Sequence, residues 1–536
     1  MRRVITLLVA LLVLANGRAG AQPDDAWQDG VCYEVFVRSF ADSDGDGVGD
    51  LAGLTARLDY INDGDAASDT DLGANCIWLM PVAQSPSYHG YDVTNYYDIE
   101  RDYGTKEDFR TFVNEAHGRG IRIIIDMVLN HSSSEHPFFK AALVDRDSPY
   151  RDWYTWSPTE RPMAGYEAPT WHRASTRDEY YYGLFWSGMP DLQLADPEVR
   201  AETRRIARFW LEDMAVDGFR LDAVAHFFED RDRWRHVEAV HPWLRDYAAD
   251  LRRMSPGVFT VGEVWDSIGA ILPYYPGQLD AYFMFEVADA IVEAARSGTG
   301  QTLVRVVERL QRDIPSGLWG SFLRNHDQTR TMTELNGDVA RAKLAASLLL
   351  TLPGIPFIYY GEEIGMTGTK ADGDPRLRTP MPWTREPGVG FTSSVPWEPL
   401  HADSLTANVQ AHEDDPGSLL NHYRRLIRLR TATTALTRGD FLALGASHNA
   451  VLAYLRRASE RTVLVVANLG EEPVTAVDLA AAAGALPAGQ WTLTPQLGDG
   501  DTVSVRVRDD GSIRGSFTIP AIEPLETRVY ALTRSP

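Results

Sequence analysis

Eight short apolar runs alternate with helix-like segments over most of the chain, and few folds accommodate that order. The runs begin at Val31 (VCYEVFV), Asn75 (NCIWLM), Ile121 (IRIIIDMV) and Val216 (VDGFRLDAV). They continue at Val258 (VFTVGEVW), Leu279 (LDAYFMF), Leu318 (LWGSFLRNHD) and Gly354 (GIPFIYYG). They are rich in Val, Ile and aromatics, the texture of strands buried on both faces. Segments such as EDFRTFVNEAHGRG, from Glu107, read as the helices between them. Eight strands with intervening helices predict the α/β class and a (β/α)8 TIM barrel.

Roughly 85 residues separate the third run from the fourth, too many for one helix and two loops. An inserted subdomain is therefore expected over 132–188. It is rich in aromatics: Tyr150, Trp153, Tyr154, Trp156, Trp171, Tyr180, Tyr181, Tyr182, Phe185 and Trp186. Most of these are expected to pack the insert, and some could offer ring faces to a sugar. The barrel then occupies 22–131 and 189–435. Near its end DPGSLLNHYRRLIRLR reads as a helix capped by Asp415, with Pro416 in its first turn. After about Gly439 the texture changes to short strands with Gly, Asp and Pro turns. A C-terminal antiparallel β-sandwich is expected over 436–536.

The first 21 residues carry Arg2 and Arg3, an apolar run from Val4 to Ala15 and a small-residue ending, Ala19-Gly20-Ala21. That is the pattern of a secretory signal peptide, and the run is short for a membrane span. A secreted protein, extracellular or periplasmic, is expected, with no membrane association after cleavage. The net charge is −23, and −26 without that segment, which holds three arginines and no acid. Such acidity argues against nucleic acid or anionic membrane as a partner and is compatible with a neutral substrate. A monomer is expected. Only Cys32 and Cys76 exist, which excludes a disulfide framework and a cysteine-based zinc site. Two buried thiols is the favoured reading, with a single bridge as the alternative in an oxidising compartment.

Charged residues gather at the C-terminal ends of the predicted strands. The third ends in Asp126, Asn130 and His131, the fourth in Arg220, Asp222 and His226, the fifth in Glu263, and the seventh in Asn325, His326 and Asp327. In a barrel this is the face where active sites form. Three carboxylates without an obvious metal cluster suit glycoside hydrolysis, which needs one acid and one carboxylate flanking the sugar–sugar bond. Arg220, two residues from Asp222, projects to the same face of its strand. Charge pairing there would keep Asp222 ionised, as a nucleophile requires. Glu263, beside Trp265, could be raised by partial burial and serve as the proton donor.

A second chemical feature is DSDGDGVGD, Asp42 to Asp50. Asp42, Asp44, Asp46 and Asp50 alternate with Gly and Val in one short loop, and hard oxygen ligands at this spacing suit Ca²⁺. It begins like an EF-hand loop, but its twelfth position is Gly53, not Glu. The plain alternative is a solvated acidic turn.

Six motifs in order resemble the α-amylase family, glycoside hydrolase family 13. They are DMVLNH (Asp126–His131), MPDLQ (Met189–Gln193), GFRLDAVAH (Gly218–His226), GEVW (Gly262–Trp265), FLRNHDQTR (Phe322–Arg330) and GIPFIYYGEEIGM (Gly354–Met366). SYHGYDVTNYY, from Ser87, matches as well. The resemblance implies Asp222 as nucleophile, Glu263 as acid/base and Asp327 as transition-state stabiliser. It implies sugar contacts from Arg220, His131 and His326, a platform from Tyr91, and further contacts from His89 and Asp92. In oligo-glucosidase-like relatives a similar loop binds Ca²⁺, and there the position of Val48 gives its backbone oxygen. Asn130, Asp191 and the His226 carbonyl match a second Ca²⁺ site of many α-amylases. Family members act on α-glucosidic bonds and retain anomeric configuration through a covalent intermediate. Two positions depart from the amylase pattern. Gln193 stands where Asn or Asp is usual, and Ala225 where many have Lys. The motifs resemble an intermediary group between oligo-1,6-glucosidases and α-amylases. The expected activity is α-1,4-glucan hydrolysis, with 4-α-glucanotransferase or α-glucosidase/oligo-1,6-glucosidase action as the alternative.

Overall fold

The computed structural model describes residues 27–535 apart from 164, 231–232, 315–316, 499 and 516. The signal segment expected at 1–21 lies outside them. Among the described residues no helix is long and apolar enough to cross a membrane.

The eight apolar runs form eight parallel strands: β1 Cys32–Val35, β2 Cys76–Leu79, β3 Arg122–Met127, β4 Gly218–Leu221, β5 Phe259–Gly262, β6 Ala281–Tyr282, β7 Gly320–Ser321 and β8 Ile355–Tyr359. Neighbours pair in chain order, β8 pairs β1, and a bridge from Phe283 to Gly320 closes the ring between β6 and β7. This is the TIM barrel read from the sequence. Alternate residues of each strand serve two cores. Cys32, Cys76, Trp78, Ile124, Val261, Phe283 and Phe357 pack together inside the barrel. Tyr33, Ile77, Leu79, Ile123, Ile125, Phe219 and Leu221 face the surrounding helices. Burial on both faces is why the runs show no polar alternation.

Cys32 and Cys76 are register partners on β1 and β2 and form a disulfide, so the two-thiol reading is replaced by the single bridge. Sequence does not show strand register, and it is the register that brings the two sulfurs together. The helix near residue 420 also begins later than read. It spans Leu419–Thr431 with Ser418 as its cap, the Ser418 hydroxyl accepting from Asn421 N. Asp415 instead accepts from Gly417 N at 2.8 Å and closes the preceding turn.

Between β3 and β4 a small three-stranded antiparallel sheet forms from Trp156–Ser157, Trp171–Arg173 and Tyr180–Tyr182. Trp171, Tyr182, Met163 and Leu184 make its core. Beyond the barrel a continuous eight-stranded antiparallel sheet runs from Asp440 to Arg534. Its first strand, Asp440–Ala446, pairs with Val451–Arg457 along one part and with Val474–Ala480 at its last two residues. Leu455, Leu464 and Val466 from one arm share a core with Val477, Leu479, Ile519 and Ile522 from the other. One sheet thus folds over itself to make both layers.

Candidate active site

The C-terminal ends of the strands open into a pocket of about 380 Å³. Asp222, Glu263 and Asp327 all line it, together with His89, Tyr91 and His131. The loops after β2, β3, β4, β5 and β7 supply these six, as the topology of a barrel requires for a shared site.

Arg220 is the centre of the charge network. It is 1% exposed and lies opposite Asp126 across the β3–β4 ladder. Nη1 donates to both Asp126 oxygens, at 2.7 and 3.0 Å, and to Asp222 Oδ1 at 2.7 Å. Nη2 is 2.8 Å from Glu263 Oε1. One buried guanidinium therefore serves three carboxylates, Asp126 and Asp222 buried and Glu263 partly so, and Trp78 and Tyr91 offer it ring faces at 5.3 and 5.9 Å. Burial raises Asp222, and Arg220 opposes that rise without reversing it. The charge pairing read from the sequence is present, but the net direction is upward because desolvation outweighs one shared cation. Glu263 is raised as well, by burial first, with Asp222 and Asp327 adding to it against Arg220. Asp126 is pushed up to about 7 by burial.

Asp327 behaves differently. Burial would raise it, but the His326 cation and Arg378 outweigh burial and hold it well below the usual carboxylate range. Arg378 Nη2 donates to Asp327 Oδ1 at 2.8 Å, and its Nε donates to the His326 carbonyl at 3.1 Å. Three carboxylates on one pocket thus differ in charge preference: one anchored as an anion, two raised.

The backbone takes part. Ala223 follows Asp222 in the left-handed region, φ 51°, sparsely populated by residues with a Cβ. In that conformation its N–H donates to Glu263 Oε2 at 3.1 Å. Strain of this kind persists where the surroundings enforce it, and here it ties the residue after Asp222 to Glu263.

The remaining sequence-selected residues separate into two layers. Tyr91 stands in the wall with its hydroxyl on Asp126 Oδ2 at 2.9 Å and near His326 Nε2 at 2.7 Å. His89 stacks beside Tyr91, ring centroids 6.0 Å apart. Burial pushes His131 down to about 4. Its Nε2 faces the Tyr91 carbonyl at 3.2 Å, the donor geometry of a neutral ring. Arg220, His326 and Asp92 lie behind the lining. Asp92 is buried and accepts from the Ser85 and Ser87 hydroxyls. In the insert, Trp153, Tyr154, Trp171, Tyr181 and Tyr182 are packing residues. Phe185 and Trp186 are exposed and line the pocket together with the exposed Trp265.

Sequence reasoning missed Arg378, Asp374 and Glu34. Arg378 and Asp374 line the pocket from a short 3₁₀ turn, Asp374–Leu377, which has no sequence periodicity to signal them. Glu34 had a signal, since it is the one charge in the apolar run of β1.

In the acidic loop, Asp42, Asp44 and Asp50 each offer an oxygen, all within 4.8 Å of one another. Asp46 stands apart from that group, its Oδ1 accepting from Val48 N at 2.7 Å. Asp44 is raised. The Asp46 N–H lowers it, but burial and the charges of Asp46, Asp42 and Asp50 outweigh that bond. A set of hard anionic oxygens in mutual repulsion fits a hard divalent cation. The loop packs on residues 391–397 through Asp42 N to the Phe391 carbonyl and Trp397 N to the Gly47 carbonyl. Trp397 stacks on Tyr88, which meets His89 edge-on, so the loop reaches the pocket wall through two aromatic contacts. At the other suggested cation site, Asn130 Nδ2 donates to Asp191 Oδ2 at 3.0 Å and Leu184 N to Asp191 Oδ1 at 2.9 Å.

Comparison with known proteins agrees with this geometry. The family description "Alpha amylase, catalytic domain" matches residues 34–439. The chain is 40% identical over 477 residues to Alpha-amylase 3 of Dictyoglomus thermophilum, across 87% of this chain and 89% of that one. It is 29% identical over 520 residues to an oligo-1,6-glucosidase of Parageobacillus thermoglucosidasius, across 83% and 91%. A crystal structure of α-amylase from H. orenii superimposes with a TM-score of 0.82 at 39% identity, covering 94% of this chain and 99% of that one. Since the match takes in all eight barrel strands and the loops that carry the carboxylates, the chain belongs to the α-amylase family of glycoside hydrolases, family 13.

Proposed function

We propose that this enzyme is a secreted, monomeric, retaining hydrolase that cleaves α-1,4-glucosidic bonds in starch, maltodextrins or malto-oligosaccharides. The observation that carries this reading is the pairing of Asp222 and Glu263 with the two ends of one guanidinium, at 2.7 and 2.8 Å. Carboxylates held by one guanidinium fit the close separation of retaining enzymes, about 5–5.5 Å, and family resemblance supplies the retaining route. Asp222 attacks the anomeric carbon and forms the covalent glycosyl-enzyme. Glu263 gives its proton to the departing glycosidic oxygen, then takes one from the incoming water. Asp327, held as an anion, accepts hydrogen bonds from ring hydroxyls and stabilises the positive charge that develops in the transition state. His89, Tyr91 and His131 form the wall against the sugar on the non-reducing side. Arg220, His326 and Asp92 support that wall and the carboxylates from behind. The raised Glu263 is suited to donate near neutral pH, and the raised Asp222 sets the acidic limit. Product analysis on maltoheptaose tests the reading. Steady accumulation of reducing ends supports hydrolysis, whereas redistribution of chain lengths without it would assign 4-α-glucanotransferase action instead.

Bond preference rests on Ala223, which lines the pocket and, by family resemblance, lies beside the cleaved bond. A small side chain leaves room for the next glucose of an α-1,4 chain. One or two methylenes shift discrimination by about 1–3 kcal/mol, so a preference is expected, not exclusivity. Maltotetraose should be cut faster than isomaltose, and Ala223→Val should narrow that gap. A β-branched residue at φ 51° should also cost about 1–3 kcal/mol of stability. Faster cleavage of isomaltose than of maltotriose by the unmodified enzyme would favour an oligo-1,6-glucosidase.

The acidic loop is assigned to Ca²⁺. Asp42, Asp44 and Asp50 provide carboxylate oxygens, and by family resemblance Asp46 and the Val48 carbonyl complete the set. A bound cation would neutralise the carboxylates there, and the loop would stay fixed against residues 391–397. A ligand that binds only the folded state at 100 to 1,000 times its Kd adds about 3–4 kcal/mol of stability. Chelator should therefore lower Tm by several degrees, and Asp44→Ala should abolish that sensitivity. Unchanged Tm and activity under chelator would remove the metal from the account.

A further inference from the structure

Strand β1 carries one charge, Glu34, which is 2% exposed and has no part in the roles assigned above. Its Oε1 meets His326 Nδ1. The other ring nitrogen, Nε2, lies 3.2 Å from Asp327 Oδ2 and 2.7 Å from the Tyr91 hydroxyl. That hydroxyl has a single proton, which it directs to Asp126 Oδ2 at 2.9 Å. Both ring nitrogens of His326 therefore face acceptors, and an imidazole satisfies two acceptors only when protonated on both nitrogens. We propose that Glu34 is a positioning residue of the active site: it holds His326 as a doubly protonated cation, and that cation keeps Asp327 anionic and aimed into the pocket while Glu263 exchanges its proton. This rests on the roles proposed for Asp327 and Glu263.

The surroundings of His326 agree. Burial lowers its proton affinity, but Asp327 and Glu34 outweigh burial and push it up to about 9. Asp126 and Asp222 are the other anions that interact with it, from β3 and β4. The opposing cations are Arg378, bonded to the His326 carbonyl, and Arg220, which acts on Asp327. Tyr91 shields the ring from the pocket by stacking, centroids 5.8 Å apart. An ionised Asp327 then adds to burial in raising Glu263, the direction a proton donor near neutral pH needs.

Glu34→Gln keeps the shape and an oxygen for Nδ1–H but removes the charge. One pKa unit is a factor of about ten in protonation, so kcat of this variant should fall at least about tenfold more, relative to wild type, near pH 8.5 than near pH 6. KM should move less than kcat. Glu34→Asp retains the charge and should leave the alkaline limb in place even where its overall rate is lower. Thermal unfolding of each variant separates misfolding from chemistry. Parallel pH profiles for wild type and Glu34→Gln, or an equal displacement in Glu34→Asp, would overturn the proposal. So would NMR titration of histidine-labelled wild type, with His326 identified by its loss in His326→Asn, if that ring were neutral at pH 7. Active Asp222→Asn or Glu263→Gln enzyme would remove the underlying roles, whereas inactive ones with parallel Glu34→Gln profiles would remove only Glu34.

Discussion

Asp222→Asn and Glu263→Gln are each expected to lower kcat by several orders of magnitude while leaving the fold intact. Each change keeps the shape of the side chain and removes one chemical capacity. An amide in place of the Asp222 carboxylate could not form the glycosyl ester, so the covalent route would close. An amide in place of the Glu263 carboxyl could not protonate the leaving oxygen, a role worth about 10²–10⁴ in rate. The two losses should differ in kind. A substrate with a good leaving group needs little protonation in the first step. Glu263→Gln should therefore recover much of its glycosylation rate on an aryl α-glucoside, and Asp222→Asn should not. Both variants should retain Tm near wild type or above it, because each removes a buried carboxylate from a site where anions crowd one guanidinium. Near-wild-type turnover by a verified preparation of either would sink the assignment.

The second large effect is expected at Arg220. Arg220→Ala leaves Asp126, Asp222 and Glu263 buried without their shared cation. Removing one partner from a buried ionic group costs about 3–5 kcal/mol, and activity should fall with it. The pH dependence has a definite sign. In the wild type Asp126 is already pushed up to about 7 by burial, with Arg220 opposing. Without Arg220 the folded-state values of all three carboxyls rise further above their unfolded values. A carboxyl raised on folding penalises the folded state when ionised, and the penalty shrinks as pH falls through the folded value. The stability deficit of Arg220→Ala should thus be largest at pH 8 and smaller at pH 5, as read by denaturant unfolding. A deficit that grows towards pH 5, or none at all, would contradict the network described.

The three pocket carboxylates were legible in the sequence because strands fix where chemistry-bearing residues point. Asp222 and Glu263 stand directly after buried strands and Asp327 in the loop that follows β7, and a barrel brings such positions together. Arg220 was legible for the same reason, two residues before Asp222 on one strand face. What stayed hidden depended on neighbours that no local pattern encodes. The Cys32–Cys76 bridge depends on register between β1 and β2. Arg378 reaches Asp327 from the end of a short 3₁₀ turn, Asp374–Leu377, that no sequence periodicity marks. The upward direction at Asp222 reflects the depth of the pocket and the sharing of one guanidinium among three carboxylates, neither of which sequence spacing reveals. The left-handed turn at Ala223 follows from closing β4 into a 3₁₀ turn beside Glu263, at a residue whose type does not favour it. The early helix start read at Asp415 failed because Asp, Pro, Gly and Ser in succession suit both a cap and a turn, and here the turn takes the first three.

The central claim is double displacement through Asp222, and the anomeric configuration of the first-formed product tests it most directly. Maltoheptaose hydrolysis followed by proton NMR, at enzyme concentrations that complete cleavage before mutarotation, should show the α-anomer of the new reducing end appearing first and the β-anomer only later by mutarotation. First appearance of the β-anomer would mean direct attack by water and would contradict Asp222 as nucleophile.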